Sequence, residues 1–237
     1  MNAAARAPLW KLGLTMATLA LASCSEAPPP RMALTTDAAT VLGPEPGFDP
    51  ARPPAGWFAG PGAAQAFAVV EQDGLTALEL RSAETVLGRR MAVPLLAAPF
   101  LRWGWRLEPP VGDAGVRLVV GLARGAERAA AQAGPGQAPP HDRRIELTLV
   151  GTAGGARVVG SAGGSPGSAA GVLLRTLDAA SAQAWMVEAI DLGALHARLH
   201  PDEAQAALIV TFVAVGGIGR RGDGRPLGQV AEIVLSR

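Results

Sequence analysis

The chain predicts an all-β fold, a sandwich or barrel, with one short helix. Three observations carry this. From residue 47 onward, short runs of alternating apolar and polar residues recur between turn residues, the pattern of half-buried strands. Only one stretch has both a helical period and helix-ending signals. A chain of 237 residues is long enough for one ordinary core.

The N-terminus is a separate matter. Arg6 and Lys11 precede an apolar run from Leu12 through Ala22, and Ser23 precedes Cys24, which is the layout of a secretory signal peptide. The run is about a dozen residues, short of the roughly 20 that cross a bilayer as a helix. "LASC", residues 21–24, resembles the bacterial lipoprotein box. The resemblance implies that residues 1–23 are a signal peptide, that Cys24 carries diacylglycerol, and that the chain is held to a membrane through that cysteine. It also implies that Ser25, in place of the aspartate of inner-membrane lipoproteins, directs the chain to the outer membrane, facing the periplasm. Residues 24–46, rich in proline and small residues, read as a tether, with a short strand near 40–42. Residues 47–237 form the domain.

Composition excludes several functions. Cys24 is the only cysteine, so no disulfide, zinc-thiolate cluster or thiol nucleophile remains for the domain. The formal charge of +1 falls to −1 once Arg6 and Lys11 leave with the signal, which gives no electrostatic footprint for nucleic acid. No cofactor motif emerges.

Strands are predicted at 66–71, 75–81, 85–91, 100–108, 116–124, 144–150, 183–190, 207–215 and 229–236. The helix is predicted over residues 192–199, with Asp191 as N-cap and Pro201 beyond its end. The stretches 125–143 and 151–171 read as mobile loops. In "FLRWGWRLE" (residues 100–108) Leu101, Trp103, Trp105 and Leu107 share one face and Arg102, Gly104 and Arg106 the other. The apolar set reads as a core wall, although a Trp pair on one strand is also a sugar-stacking platform. "GVRLVVGL" buries Val116, Leu118, Val120 and Leu122 and turns Arg117 outward, while "RIELTL" buries Ile145, Leu147 and Leu149 and exposes Glu146 and Thr148. If these strands are neighbours, Arg102, Arg106, Arg117, Glu79, Arg81 and Glu146 line one polar face. That face is either a binding surface, with Arg102, Arg106 and Arg117 as contacts and Trp57 beside them, or a solvated, cross-paired surface.

"PPAGW" (53–57), residues 78–108 and "WMVEAIDLGALHARLHPDE" (185–203) resemble, in order, the landmarks of a family of secreted bacterial proteins catalogued as domain of unknown function 3047. The resemblance implies a single jelly-roll-like antiparallel β-sandwich, similar to galactose-binding and carbohydrate-binding modules, and no particular activity.

Three motifs suggest chemistry and fail on context. "GIGRRG" (217–222) fits a dinucleotide fingerprint but is followed by Pro226 and a strand pattern instead of a helix. "GGSPG" (163–167) fits a nucleophile elbow, yet Pro166 has no N–H to donate to an oxyanion hole. "HARLH" sets His196 and His200 on one helical face at zinc-binding spacing, with Asp202 or Glu203 as a further ligand, but lacks the glutamate of H-E-x-x-H. A surface helix with two solvated imidazoles and no metal is the expectation. A glycosidase requires paired carboxyl groups, for which Glu79, Glu146 and Glu188 are the available residues. The sequence therefore favours a non-catalytic glycan or envelope-binding lipoprotein. An envelope protein-assembly role and a glycan hydrolase are the alternatives.

Overall fold

A computed structural model describes residues 39–43, 47–108, 114–125, 134, 136–151, 169–177, 184–219 and 222–237. They form an all-β sandwich. Its strands are β1 (Ala39–Leu42), β2 (Trp57–Ala59), β3 (Phe67–Gln72), β4 (Leu75–Leu80), β5 (Val86–Pro94), β6 (Phe100–Leu107), β7 (Gly115–Arg124), β8 (Arg143–Gly151), β9 (Ala169–Leu177), β10 (Met186–Asp191), β11 (Leu208–Ile218) and β12 (Gly228–Ser236). Two helices interrupt them, a single turn α1 (Ala63–Ala66) and α2 (Leu192–Leu199).

The first sheet has the order β10-β6-β12-β4-β3, with β1 also paired to β12; the second runs β2-β5-β11-β7-β8-β9. From β4 to β7 the chain changes sheet at every step, and it does so again from β10 to β12. This alternation is the jelly-roll character that the family resemblance implies. Beyond that expectation are α1, β2, and β9, which pairs parallel to β8 and begins inside the stretch expected to be a loop. Residues 152–168 of that stretch lie outside the described residues.

The alternation of apolar residues settles which faces meet. Leu101, Trp103, Trp105 and Leu107 from β6 are at most 1% exposed, and Val116, Leu118, Val120, Leu122, Ile145, Leu147 and Leu149 from β7 and β8 are fully buried. The tryptophan pair is thus core, and the sugar-stacking alternative for those two rings is set aside. A tight β3–β4 hairpin turns at Asp73 and Gly74, both at positive φ (53° and 76°), the geometry that a two-residue turn matched to strand twist requires. In β12 a bulge between Ala231 and Val234 places Glu232 at φ 47° and lets the strand continue along β1.

A second, smaller apolar cluster lies on the outer face of the second sheet. Phe58, Val119, Phe212 and Ala214 are nearly fully buried there, with Val86 and Ala138 against them. Two glycines make room for the rings: a Cβ on Gly88 would meet Phe58 at 2.5 Å, and one on Gly121 would meet Phe212 at 2.0 Å. Ala138 belongs to the segment expected to be mobile. Residues 136–142 instead dock on the sheet, with His141 edge-on to Phe212 at 5.2 Å.

α2 starts as predicted, with the Asp191 carboxylate accepting from Ala194 N at 2.8 Å, and ends at Leu199. Leu192 and Leu195 anchor it on the core.

Trp105→Ala should destabilise the domain by about 3–5 kcal/mol, the usual cost of removing a large aromatic side chain from a packed core. Urea unfolding checks this through a lower midpoint at an unchanged slope.

Candidate functional site

The polar face anticipated from the sequence is divided by the topology. β6 belongs to the first sheet and β7 and β8 to the second, so Arg102, Arg106 and Glu79 lie on one outer face of the sandwich while Arg117 and Glu146 lie on the opposite one. Alternation assigns a residue to the inside or the outside; it does not say which sheet its strand joins.

Most of these side chains are bonded within the fold. The Arg106 guanidinium donates to Asp73 at 3.1 Å and to Glu108 at 2.9 Å and is only 12% exposed. Asp73 also accepts from Trp185 Nε1 at 3.2 Å, and the indole lies over Gly104, which has no side chain to obstruct it. The β3–β4 turn is therefore clasped down on the outer face of the first sheet. Arg102 is half-buried, in register with Ala189 and Val234. Arg117 donates to Ala83 O at 3.3 Å across Gly216, where a Cβ would stand 3.1 Å from its Nε. Glu79 pairs with Arg81 at 2.8 Å and Glu146 with Arg144 at 3.1 Å. Glu188 is in register with Trp103, on the inward side of the edge strand β10. The three carboxylates nominated for hydrolysis thus lie on three separate surfaces, so none of them forms a pair.

The "GIGRRG" segment continues from β11, with Gly217 packed under Leu227 and Ser82, and leads into a turn and β12 with no helix. "GGSPG" lies outside the described residues.

The "HARLH" expectation is corrected. His196 is fully buried, 5.0 Å from the His200 ring and 3.5 Å from Glu203 Oε2. The helix is held inward because Glu203 is anchored by Arg143 Nε at 3.0 Å and Arg124 at 2.9 Å. Burial lowers the His196 pKa, helped by the neighbouring His200 and Arg143 and opposed by Glu203. At Glu203 burial pulls upward, but the two arginines outweigh it and hold the carboxyl below its ordinary 4.5. Among the described residues no three His, Cys, Asp or Glu side chains are grouped to hold a metal ion.

The one predicted residue that borders a sizeable cavity is Trp57. A groove of about 530 Å³ lies along residues 51–65, with Arg90 and Gly136 also in its lining, which otherwise consists of Pro53, Pro54, Trp57, Phe58, Gln65 and small residues. Its shape follows from local chemistry. Trp57 N closes a turn on Pro54 O at 3.1 Å, Gly56 and Gly62 take positive φ (87° and 79°), and Arg90 N bonds Gly56 O at 2.7 Å. The indole packs on Phe48, with ring centroids 4.5 Å apart, and the same ring borders a small void of about 10 Å³ on the core side with Leu78, Leu87 and Val215. Trp57 is thus a partition between groove and core.

The sequence did not flag Arg90 or Gln65. Arg90 donates to Trp57 O, to Gly134 O at 3.2 Å and to Gln137 O at 3.1 Å, and its guanidinium lies 5.5 Å over the Phe58 ring. It fastens one wall of the groove to the other. Gln65 is exposed on α1. Neither residue stands out in a linear reading, since their significance comes from segments over 40 residues apart. No described lining residue carries a carboxylate, imidazole, hydroxyl or thiol, so the described lining supplies no general acid, general base or nucleophile of the usual kinds.

No family model matches the chain, and no curated protein matches it. Among solved structures it is similar to the Trichoderma harzianum endoglucanase 3 of family GH12, at 11% identity and a TM-score of 0.42 over 84% of this chain and 96% of that one. It is also similar to the Rhodothermus marinus endoglucanase cel12A, at 11% identity and a TM-score of 0.44, covering 72% and 86% of the two chains. A family 12 xyloglucanase from Bacillus licheniformis gives 13% identity and 0.39 over 84% and 91%.

The lowered His196 pKa fixes a pH dependence. The unfolded chain takes up a proton near the ordinary 6.5 and the folded chain at a lower pH, so stability is intact above 6.5 and falls as pH drops below it. A second loss follows as pH falls through the lowered Glu203 value and its arginine pairs dissolve. Urea midpoints measured from pH 7.5 to pH 4 should decline, and His196→Gln should flatten the upper part of that decline.

Proposed function

We propose that the chain is a lipid-anchored binding module of the bacterial envelope that holds a glycan in the groove beside Trp57 and does not hydrolyse it. The carrying observation is the composition of the groove: the half-buried Trp57, an exposed amide on Gln65, two prolines and backbone groups in a volume of about 530 Å³, with no acid or base among its described lining residues. Cavities of roughly 300–1,000 Å³ suit small ligands, and an aromatic surface beside amide and peptide groups complements the apolar faces and hydroxyls of a pyranose. The separation of Glu79, Glu146 and Glu188 argues in the same direction, because glycoside hydrolysis needs two carboxyl groups within roughly 5–9.5 Å of one bond.

The envelope location rests on Cys24 and its flanks. Among the described residues no helix is long and apolar enough to cross a membrane, and acyl chains contribute about 0.8 kcal/mol per buried methylene. Ser25 favours the outer membrane, with the domain in the periplasm. The family resemblance of residues 53–57, 78–108 and 185–203 supports the same secreted setting.

Titration of the detergent-solubilised full chain with a panel of soluble envelope and plant oligosaccharides tests the reading. Saturable heat with no release of reducing ends is expected, and Gln65→Ala, an exposed change, should weaken binding about tenfold, equivalent to one hydrogen bond. Release of reducing ends would make the protein a hydrolase, and absence of binding would favour a protein-assembly role. For the anchor, Cys24→Ser should abolish acylation, read as the missing lipid mass and loss of the protein from the membrane fraction.

A further inference from the structure

Arg90 is the only ionisable side chain among the described residues that line the groove. Its bonding is unusual for a half-buried guanidinium. All three hydrogen bonds go to backbone carbonyls, those of Trp57, Gly134 and Gln137, its ring contact is the neutral Phe58, and Nε has no partner. The other arginines with charged partners nearby show the contrast: Arg106 has Asp73 and Glu108, Arg143 and Arg124 share Glu203, and Arg81 has Glu79. Arg90 has carbonyl dipoles and no carboxylate among the described residues. A cation removed from water is ordinarily matched by an anion.

Resting on the glycan reading of the same groove, we propose that its ligand is an acidic saccharide, whose carboxylate or phosphate supplies the negative charge that no described residue gives Arg90. The carbonyls from both walls fix the guanidinium in place before the ligand arrives, so little side-chain entropy is lost on binding. Three of the five guanidinium N–H bonds already go to carbonyls and Nε is buried, so the anion meets Arg90 through the remaining Nη1 proton and through its charge, not as a two-pronged pair. The neutral remainder of the groove, Trp57 and Gln65 with the backbone of Gly56 to Gly60, is left for the sugar ring. Charge thus selects the ligand class, and the neutral lining holds its body.

The test is calorimetry on the full chain in detergent, with a galacturonic acid trisaccharide, the methyl ester of that trisaccharide and glucose 6-phosphate as probes. The acidic trisaccharide should bind at least tenfold more tightly than its ester, and its affinity should fall between 50 and 300 mM salt while that of the ester does not. Binding of glucose 6-phosphate with the same salt dependence would identify phosphate as an accepted source of the charge; binding of the trisaccharide alone would restrict the site to carboxylates. Arg90→Met should remove the difference between acid and ester. Because that change also frees the 134–137 segment, Arg90→Lys is the companion variant, and it should retain part of the salt dependence. Equal binding of acid and ester would overturn the acidic-ligand proposal while leaving the glycan reading in place, whereas binding of none of the saccharides would overturn both.

Discussion

The fold depends on where its last two strands go. β11 is inserted between β5 and β7 at the centre of the second sheet, and β12 between β6 and β4 in the first, where it also receives β1. Strands contributed by residues 57–124 therefore acquire their central neighbours only when residues 208–236 arrive. Both sheets are closed by one terminal segment, and the long-range pairing it requires is the slow, entropically costly kind. This explains the density of apolar residues there: Val210, Val213, Val215, Ile233 and Leu235 are all fully buried. It also explains the bulge at Glu232, which lets one strand serve different partners along its length.

The groove is a consequence of that arrangement at the sheet margin. β5 pairs with β11 on one side and with the three-residue β2 on the other, so the second sheet ends in a short strand that covers little of its neighbour. Phe58 turns outward to join the Phe212 cluster, the half-buried Trp57 packs against the core, and Gly136 lies on the opposite side of the groove. A clasp on one outer face, made by Arg106, Asp73 and Trp185, and the buried His196 beside Glu203 at the end of α2 stiffen the remainder. Polar side chains that in sequence resemble ligand contacts thus hold connections in place, and the open cavity is lined by residues of little chemical distinction.

Much of this was legible in the sequence, and the limits are physical. Alternation in "FLRWGWRLE" gave the inward and outward faces of β6 correctly, because burial acts on every second residue of a strand. The Asp191 cap and the end of α2 could be read because capping is local. Sheet membership is not local, which is why Arg117 and Arg106 were grouped on one surface and lie on opposite ones. β9 escaped notice because "GVLLRTL" lacks clean alternation. Trp57 was singled out at the entrance of the domain, but its place at the wall of a cavity, and the part played by Arg90 and Gln65, depend on Phe48, Phe58 and Gly134 coming together from separate segments.

The central claim is that the groove beside Trp57, and neither outer arginine face, is where a ligand sits. Amide chemical-shift mapping of the isotopically labelled full chain, in detergent and titrated with an oligosaccharide that binds, addresses it most directly. The account predicts that the largest shifts fall on Gly56–Gly60, Gly62–Gln65, Arg90 and Gly136. Shifts concentrated instead at Arg102, Arg106 and Ala189, or at Arg117 and Glu146, with the groove silent, would contradict it.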